Sequence, residues 1–195
     1  MIKIKHRIRL ALALACISII GYSQDSSNVQ CAFSNTDSSY YFYGTYTVKG
    51  DINCLMNMCF DYYHISKLAP DAKEVTLVEQ GDGWNKIKYV FQRFEILENT
   101  SVWYRKLNLE KRRVDFVCTS SINNNRLLPK LITSSGFYKF TPVGSMVKVE
   151  YYQNCKLEKG TIAKIYINAV KKGAVQFIQR LLEYSLQACG INKTT

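Results

Sequence analysis

Proline and glycine are scarce in this chain, three and ten among 195 residues, which excludes collagen-like, elastic and low-complexity material. Histidine is scarcer, at two, and His6 lies in a basic N-terminal stretch, so a histidine-based catalyst has only His64 to use. No apolar run reaches the roughly 18–20 residues of a membrane-spanning helix. Charged residues make up only 21% against 47% hydrophobic, a balance that buries a sizeable core and does not suit a disordered chain. The length fits one domain, with or without a processed leader. What the chain has in quantity is aromatic side chains, 13% of the total with fourteen tyrosines.

The N-terminus carries Lys3, Lys5, Arg7 and Arg9 without an acid, then an apolar run over 10–20, then Gly21-Tyr22-Ser23. Basic, apolar and small-residue regions in that order predict a signal peptide over 1–23, with cleavage near Ser23/Gln24 and export to the periplasm or the medium. Cys16 lacks the large aliphatic residue three positions upstream that a lipoprotein signal carries. Removing the four leader bases takes the formal charge from +11 to +7. That charge favours transient contact with an anionic membrane surface. Lys111-Arg112-Arg113 sits between two strand-like runs and reads as a charged turn rather than a nucleic-acid patch. Six cysteines remain after cleavage: Cys31, Cys54, Cys59, Cys118, Cys155 and Cys189. An oxidising compartment permits one or two bridges among them, but the sequence does not choose among the pairings.

Residues 24–39, rich in Ser, Asn and Asp, read as a mobile entry segment, apart from Cys31 if a bridge ties it down. Alternation over 40–49 predicts a strand, and Asp51 caps one or two short helices over 52–68 that stop at Pro70. Strand patterns then recur over 74–80, 84–91, 102–109, 114–121, 132–140 and 146–152. The turns between them, Gly81-Asp82-Gly83 the clearest, are too short for crossover helices, so the strands form an antiparallel meander. Thr161 is the expected cap of a helix over 162–189, stopped by Gly190 and leaving a short tail over 191–195. Ala163, Ile167, Val170, Ala174, Phe177, Ile178, Leu181 and Ala188 share one face of that helix. A curved antiparallel sheet with a single long helix to cover it is an α+β helix-grip. Small residues on the helix leave room beneath it.

This order resembles the START-like superfamily, which includes steroidogenic-acute-regulatory-related lipid-transfer domains, polyketide cyclases and birch-pollen-allergen relatives. The resemblance is carried by Tyr40 to Gly50 entering the helices, Ala69-Pro70-Asp71-Ala72-Lys73-Glu74-Val75 leading into the meander, and Gly160 to Gly190 closing it. It spans 40–190 and implies a hydrophobic-ligand site under the C-terminal helix. The pollen-allergen branch has a longer glycine-rich loop, of which only Gly81-Asp82-Gly83 and Lys86 remain here, so that loop's role is not carried over.

Cys54, Cys59 and His64 lie five residues apart, a spacing that scatters them round a helix, so they read as two buried thiols and a surface histidine rather than metal ligands. Asp61 lies three residues from His64, yet no nucleophile motif accompanies them. One face of the strand around residue 105 holds Trp103, Arg105 and Leu107, the other Tyr104 and Lys106. If Arg105 points inward it requires a partner, either Glu79, Glu95, Glu150 or the acidic head of a ligand; otherwise Tyr104 and Lys106 mark the inner face. Phe42, Tyr46, Tyr89, Phe91, Phe116, Tyr138, Phe140 and Tyr152 supply the other aromatic strand positions. The expected ligand-binding set is Tyr89, Phe91, Trp103, Arg105, Phe116, Tyr138, Val170, Ala174, Phe177 and Leu181, taking a lipid or other apolar small molecule without a cofactor. The alternative is a cyclase-like or hydrolase-like enzyme using pocket Tyr, Arg or acid residues.

Overall fold

The computed structural model describes residues 29–93, 97–123 and 129–190; the leader and the tail lie outside them. Eleven elements follow in chain order. They are β1 (Val29–Asn35), β2 (Ser39–Val48), α1 (Ile52–Met58), α2 (Tyr62–Leu68), β3 (Glu74–Gly81), β4 (Trp84–Arg93), β5 (Leu97–Asn108), β6 (Arg113–Asn123), β7 (Leu131–Val143), β8 (Met146–Leu157) and α3 (Thr161–Cys189). The eight strands form one antiparallel sheet in the order β1-β2-β8-β7-β6-β5-β4-β3. Six strands after the short helices form the expected meander, and the whole is an α+β helix-grip. Among the described residues no helix is long and apolar enough to cross a membrane.

Two local expectations are corrected. Residues 29–35, read as part of a mobile segment, form the edge strand β1, with Cys31 paired to Gly44 and Phe33 to Phe42. Val29, Cys31 and Phe33 pack against the core while the residues between them face outward, which ties the segment down. At the start of α3, Thr161 is the first helical residue and Gly160 the cap, with no side-chain cap hydrogen bond.

The short helices form as their caps dictate. The Asp51 carboxylate accepts from Cys54 N at 2.8 Å, and that of Asp61 from Tyr63 N at 2.9 Å. Gly83, at φ 69°, closes the β3–β4 hairpin in the left-handed region that glycine adopts without steric cost.

Helix α3 buries Ala163, Ile167, Ala174, Ile178, Leu181 and Ser185 and packs over β2, β1 and α1. Gly44 lets it come close, since a Cβ there would overlap Ile178. Deeper in, the Tyr46 hydroxyl donates to Ser185 Oγ at 2.6 Å, and Ser185 donates in turn to Leu181 O, so a buried polar pair is fully partnered. The far end of α3 is clasped twice, by a Gly50–Gly190 bridge and by a Cys54–Cys189 disulfide. Cys54 is therefore a bridged cysteine and not the free buried thiol expected of it. Cys59 is a free thiol, fully buried and pushed up to about 12 by that burial.

Candidate functional site

Because α3 lies over the β1–β2 side of the sheet, the inner faces of β4, β5, β6, β7 and β8 meet α2 and one flank of α3 across a cavity of about 240 Å³. Strand alternation sets its walls. Tyr89 and Phe91 come from β4, Trp103 and Arg105 from β5, Phe116 from β6, Tyr138 from β7, and Tyr151 and Gln153 from β8. Ile65, Leu68, Ala69 and Asp71 close it from α2 and the loop after it, and Phe177 and Arg180 from α3. The rings form a connected wall: Trp103–Phe116 centroids at 5.8 Å, Phe116–Tyr138 at 5.5 Å, Phe116–Tyr151 at 5.7 Å and Tyr151–Phe177 at 5.0 Å.

Arg105 is the inward-facing residue of the two alternatives, 4% exposed, with Tyr104 and Lys106 on the outer face. One guanidinium nitrogen donates to Cys59 O, and Nε has no hydrogen-bond partner. The guanidinium carbon stands 5.9 Å from the Phe116 ring centre and 5.8 Å from that of Tyr138. Its strand neighbour Asn85 donates to Phe60 O at 2.9 Å, so adjacent residues of β4 and β5 hold the two consecutive carbonyls that join α1 to α2. The expected acidic partners are elsewhere: Glu79 pairs with Lys86 at 2.6 Å, and Glu150 accepts from Tyr43 and Lys148. Glu95 lies outside the described residues.

Further along the cavity, the Tyr151 hydroxyl donates to Gln153 Oε1 at 2.9 Å, and Gln153 Nε2 donates to Ser134 Oγ at 3.1 Å. Burial pushes the phenols of Tyr138, Tyr151 and Tyr89 up, an effect that Arg105 partly offsets in each. At neutral pH these tyrosines are protonated hydrogen-bond donors, not bases. The one carboxylate of the lining, Asp71, is exposed and meets Arg180 at 3.0 Å across the mouth.

Seven of the ten residues expected to bind ligand line this cavity: Tyr89, Phe91, Trp103, Arg105, Phe116, Tyr138 and Phe177. Val170, Ala174 and Leu181 do not; they pack into or against the core under the middle of α3, because the cavity touches only the flank that carries Phe177 and Arg180. Tyr152, grouped with the aromatic strand faces, points outward and stacks on Phe137 at 5.4 Å; its neighbour Tyr151 is the inward ring. The run of buried Val147, Val149 and Tyr151 carries the period-2 signal that places it there. His64 is not in the lining. Its Nδ1 is 2.9 Å from the Tyr184 hydroxyl, while Asp61 is occupied in capping α2. Among the described residues no group of three or more His, Cys, Asp or Glu is gathered as a metal ion requires.

No protein-family model matches the sequence. A comparison with curated proteins finds no match either. Solved structures do match. A STAR-related lipid transfer protein from Xanthomonas axonopodis superposes with a TM-score of 0.63 at 11% identity, over 83% of this chain and 96% of that one. The Zhui aromatase/cyclase from Streptomyces sp. R1128 gives 0.59 at 13% identity, over 76% and 92%. A truncated norcoclaurine synthase from Thalictrum flavum gives 0.57 at 12% identity, over 79% and 97%. Identities this low speak for architecture alone, and on that level a lipid-transfer protein, a cyclase and a synthase agree: the chain has the START-like helix-grip fold.

Proposed function

We propose that this chain is an exported binding domain that holds or carries a hydrophobic, lipid-like molecule in the cavity between its sheet and C-terminal helix, with transient contact to an anionic membrane surface. The observation that carries the reading is the cavity itself, about 240 Å³ walled by seven aromatic residues with a buried arginine among them. Such sites bind by apolar burial and orient their ligand with a few fixed polar groups. Removal of ligand surface from water contributes roughly 25 cal/mol per Å² before ordering costs. Holding rather than transforming is supported by the lining, where phenols are kept protonated and the single carboxylate is tied to Arg180 at the mouth. Export is supported by the basic and apolar leader that ends in Gly21-Tyr22-Ser23.

Native mass spectrometry of protein purified from its own host is expected to show a co-purified small molecule. Ala69→Trp, which fills the mouth from the end of α2, is expected to lose that molecule while remaining folded. A wild-type protein that carries nothing and takes up no hydrophobic probe refutes the reading. N-terminal sequencing is expected to find a start near Gln24, and an intact Met1 refutes export.

A further inference from the structure

We propose that the ligand of this cavity is a small planar anion, a single-ring aromatic carboxylate, with its carboxylate on Arg105. This rests on the binding role proposed above and narrows it to one chemical class. Charge comes first. Arg105 is buried, its Nε is unpartnered, and no carboxylate among the described residues forms an ion pair with it. Glu79 and Glu150 are held by lysines, and Asp71 is held by Arg180. Among the described residues this buried guanidinium meets one carbonyl, the Tyr89 hydroxyl and ring faces but no counter-charge, and it is expensive in that condition. A carboxylate matches its planar fork with two parallel hydrogen bonds, and unlike a tetrahedral phosphate it is itself planar.

Size comes second. The cavity volume is about 240 Å³. It falls just below the roughly 300 Å³ at which drug-sized sites begin, and a diacyl lipid does not fit inside. Shape comes third. Trp103, Phe116, Tyr151 and Phe177 present ring faces and edges to the same space, which suits a flat aromatic body. The deep end is Arg105, beneath the α1–α2 junction, and the mouth is Phe91 with the Asp71–Arg180 pair, so the acid enters head first.

Cinnamic acid and cinnamamide are matched in size and shape and differ in charge, which makes them the probes for calorimetric titration of the whole mature chain at neutral pH. The acid is expected to bind about tenfold to hundredfold more tightly than the amide, the difference a charged hydrogen bond makes. Arg105→Gln is expected to abolish that preference and Arg105→Lys to retain part of it. Arg105 also holds Cys59 O, so if the Gln variant does not fold, the acid-to-amide ratio on the unaltered chain decides the matter. Equal binding of the two probes overturns the charge assignment and leaves the hydrophobic-binder reading standing. Binding of a neutral long-chain fluorescent lipid with neither small probe overturns the size assignment and again leaves that reading standing. Failure of every probe overturns both.

Discussion

The Cys54–Cys189 disulfide closes a loop of sequence separation 135, nearly the whole domain. In the chain-entropy description a crosslink of that span lowers the entropy of the unfolded chain by an amount worth about 5 kcal/mol at 25 °C. Measured losses on removing native bridges run about 2–5 kcal/mol, against total stabilities of about 5–15 kcal/mol. The folded state has little to lose directly, because α3 stays packed through Ile167, Ile178 and Leu181, and the Gly50–Gly190 bridge needs no sulfur. The double variant Cys54→Ser with Cys189→Ser is therefore expected to fold and to lose about 2–5 kcal/mol in urea unfolding, with near-native circular dichroism. Dithiothreitol is expected to have the same effect on the wild type and none on the variant. A loss below about 1 kcal/mol, or a reductant effect that persists in the variant, refutes the assignment of this pair as the domain's stabilising crosslink.

Tyr40, Tyr46 and Tyr138 have phenols raised well above 10.0, burial being the largest cause. The unfolded chain releases these protons near pH 10 while the folded one keeps them, so their contribution is complete below pH 10 and is lost above it, by up to about 1.4 kcal/mol per pH unit for each tyrosine. Denaturant titrations at pH 9, 10 and 11 check this, and a flat profile contradicts it. Glu150 is shifted the other way: burial raises it, but the Tyr43 hydroxyl and Lys148 outweigh that and hold it below 4.5. Its contribution is present above that value and disappears as the pH falls through the lowered one, so Glu150→Gln is expected to flatten the acid limb of the stability profile. Ala174→Trp is expected to cost about 1–3 kcal/mol by overpacking the core, with ligand capacity unchanged in a displacement assay, because Ala174 does not line the cavity. Asp71→Asn breaks an exposed ion pair at the mouth and is expected to cost less than about 1 kcal/mol while speeding ligand uptake in stopped-flow. An unchanged uptake rate places the mouth elsewhere.

Most of the architecture was legible because period 2 and period 3.6 are strong signals where strands and helices each have one wet face. β1 escapes a reading by composition although Val29, Cys31 and Phe33 alternate correctly, since the surrounding Ser, Asn and Asp dominate it. The aromatic wall could be read from strand parity, and the exception, Tyr152 in place of Tyr151, is a shift by one residue, which reverses the face. Three facts had no local signal. The position of α3 over β1 and β2, and not over the middle of the sheet, decides that Phe177 and Arg180 reach the cavity while Val170, Ala174 and Leu181 of the same helix do not. The partner of Arg105 is a backbone carbonyl, which any residue type supplies. The pairing of Cys54 with Cys189 joins positions that only the completed fold brings together.

The strand order has a consequence for the timing of folding. β2 lies beside β8, so Ser39 waits for Lys156 and Val48 for Val147 before either has its ladder partner. α3, the last element, then packs over β1 and β2, the first two. Contacts this distant in sequence slow folding to the millisecond-to-second range, because the loop entropy is lost before the ladder repays it. A chain threading out N-terminus first presents β1 and β2, with Tyr40, Phe42 and Tyr46, well before residues 147–156 exist to cover them. Such a chain cannot complete its sheet until nearly all of it has emerged.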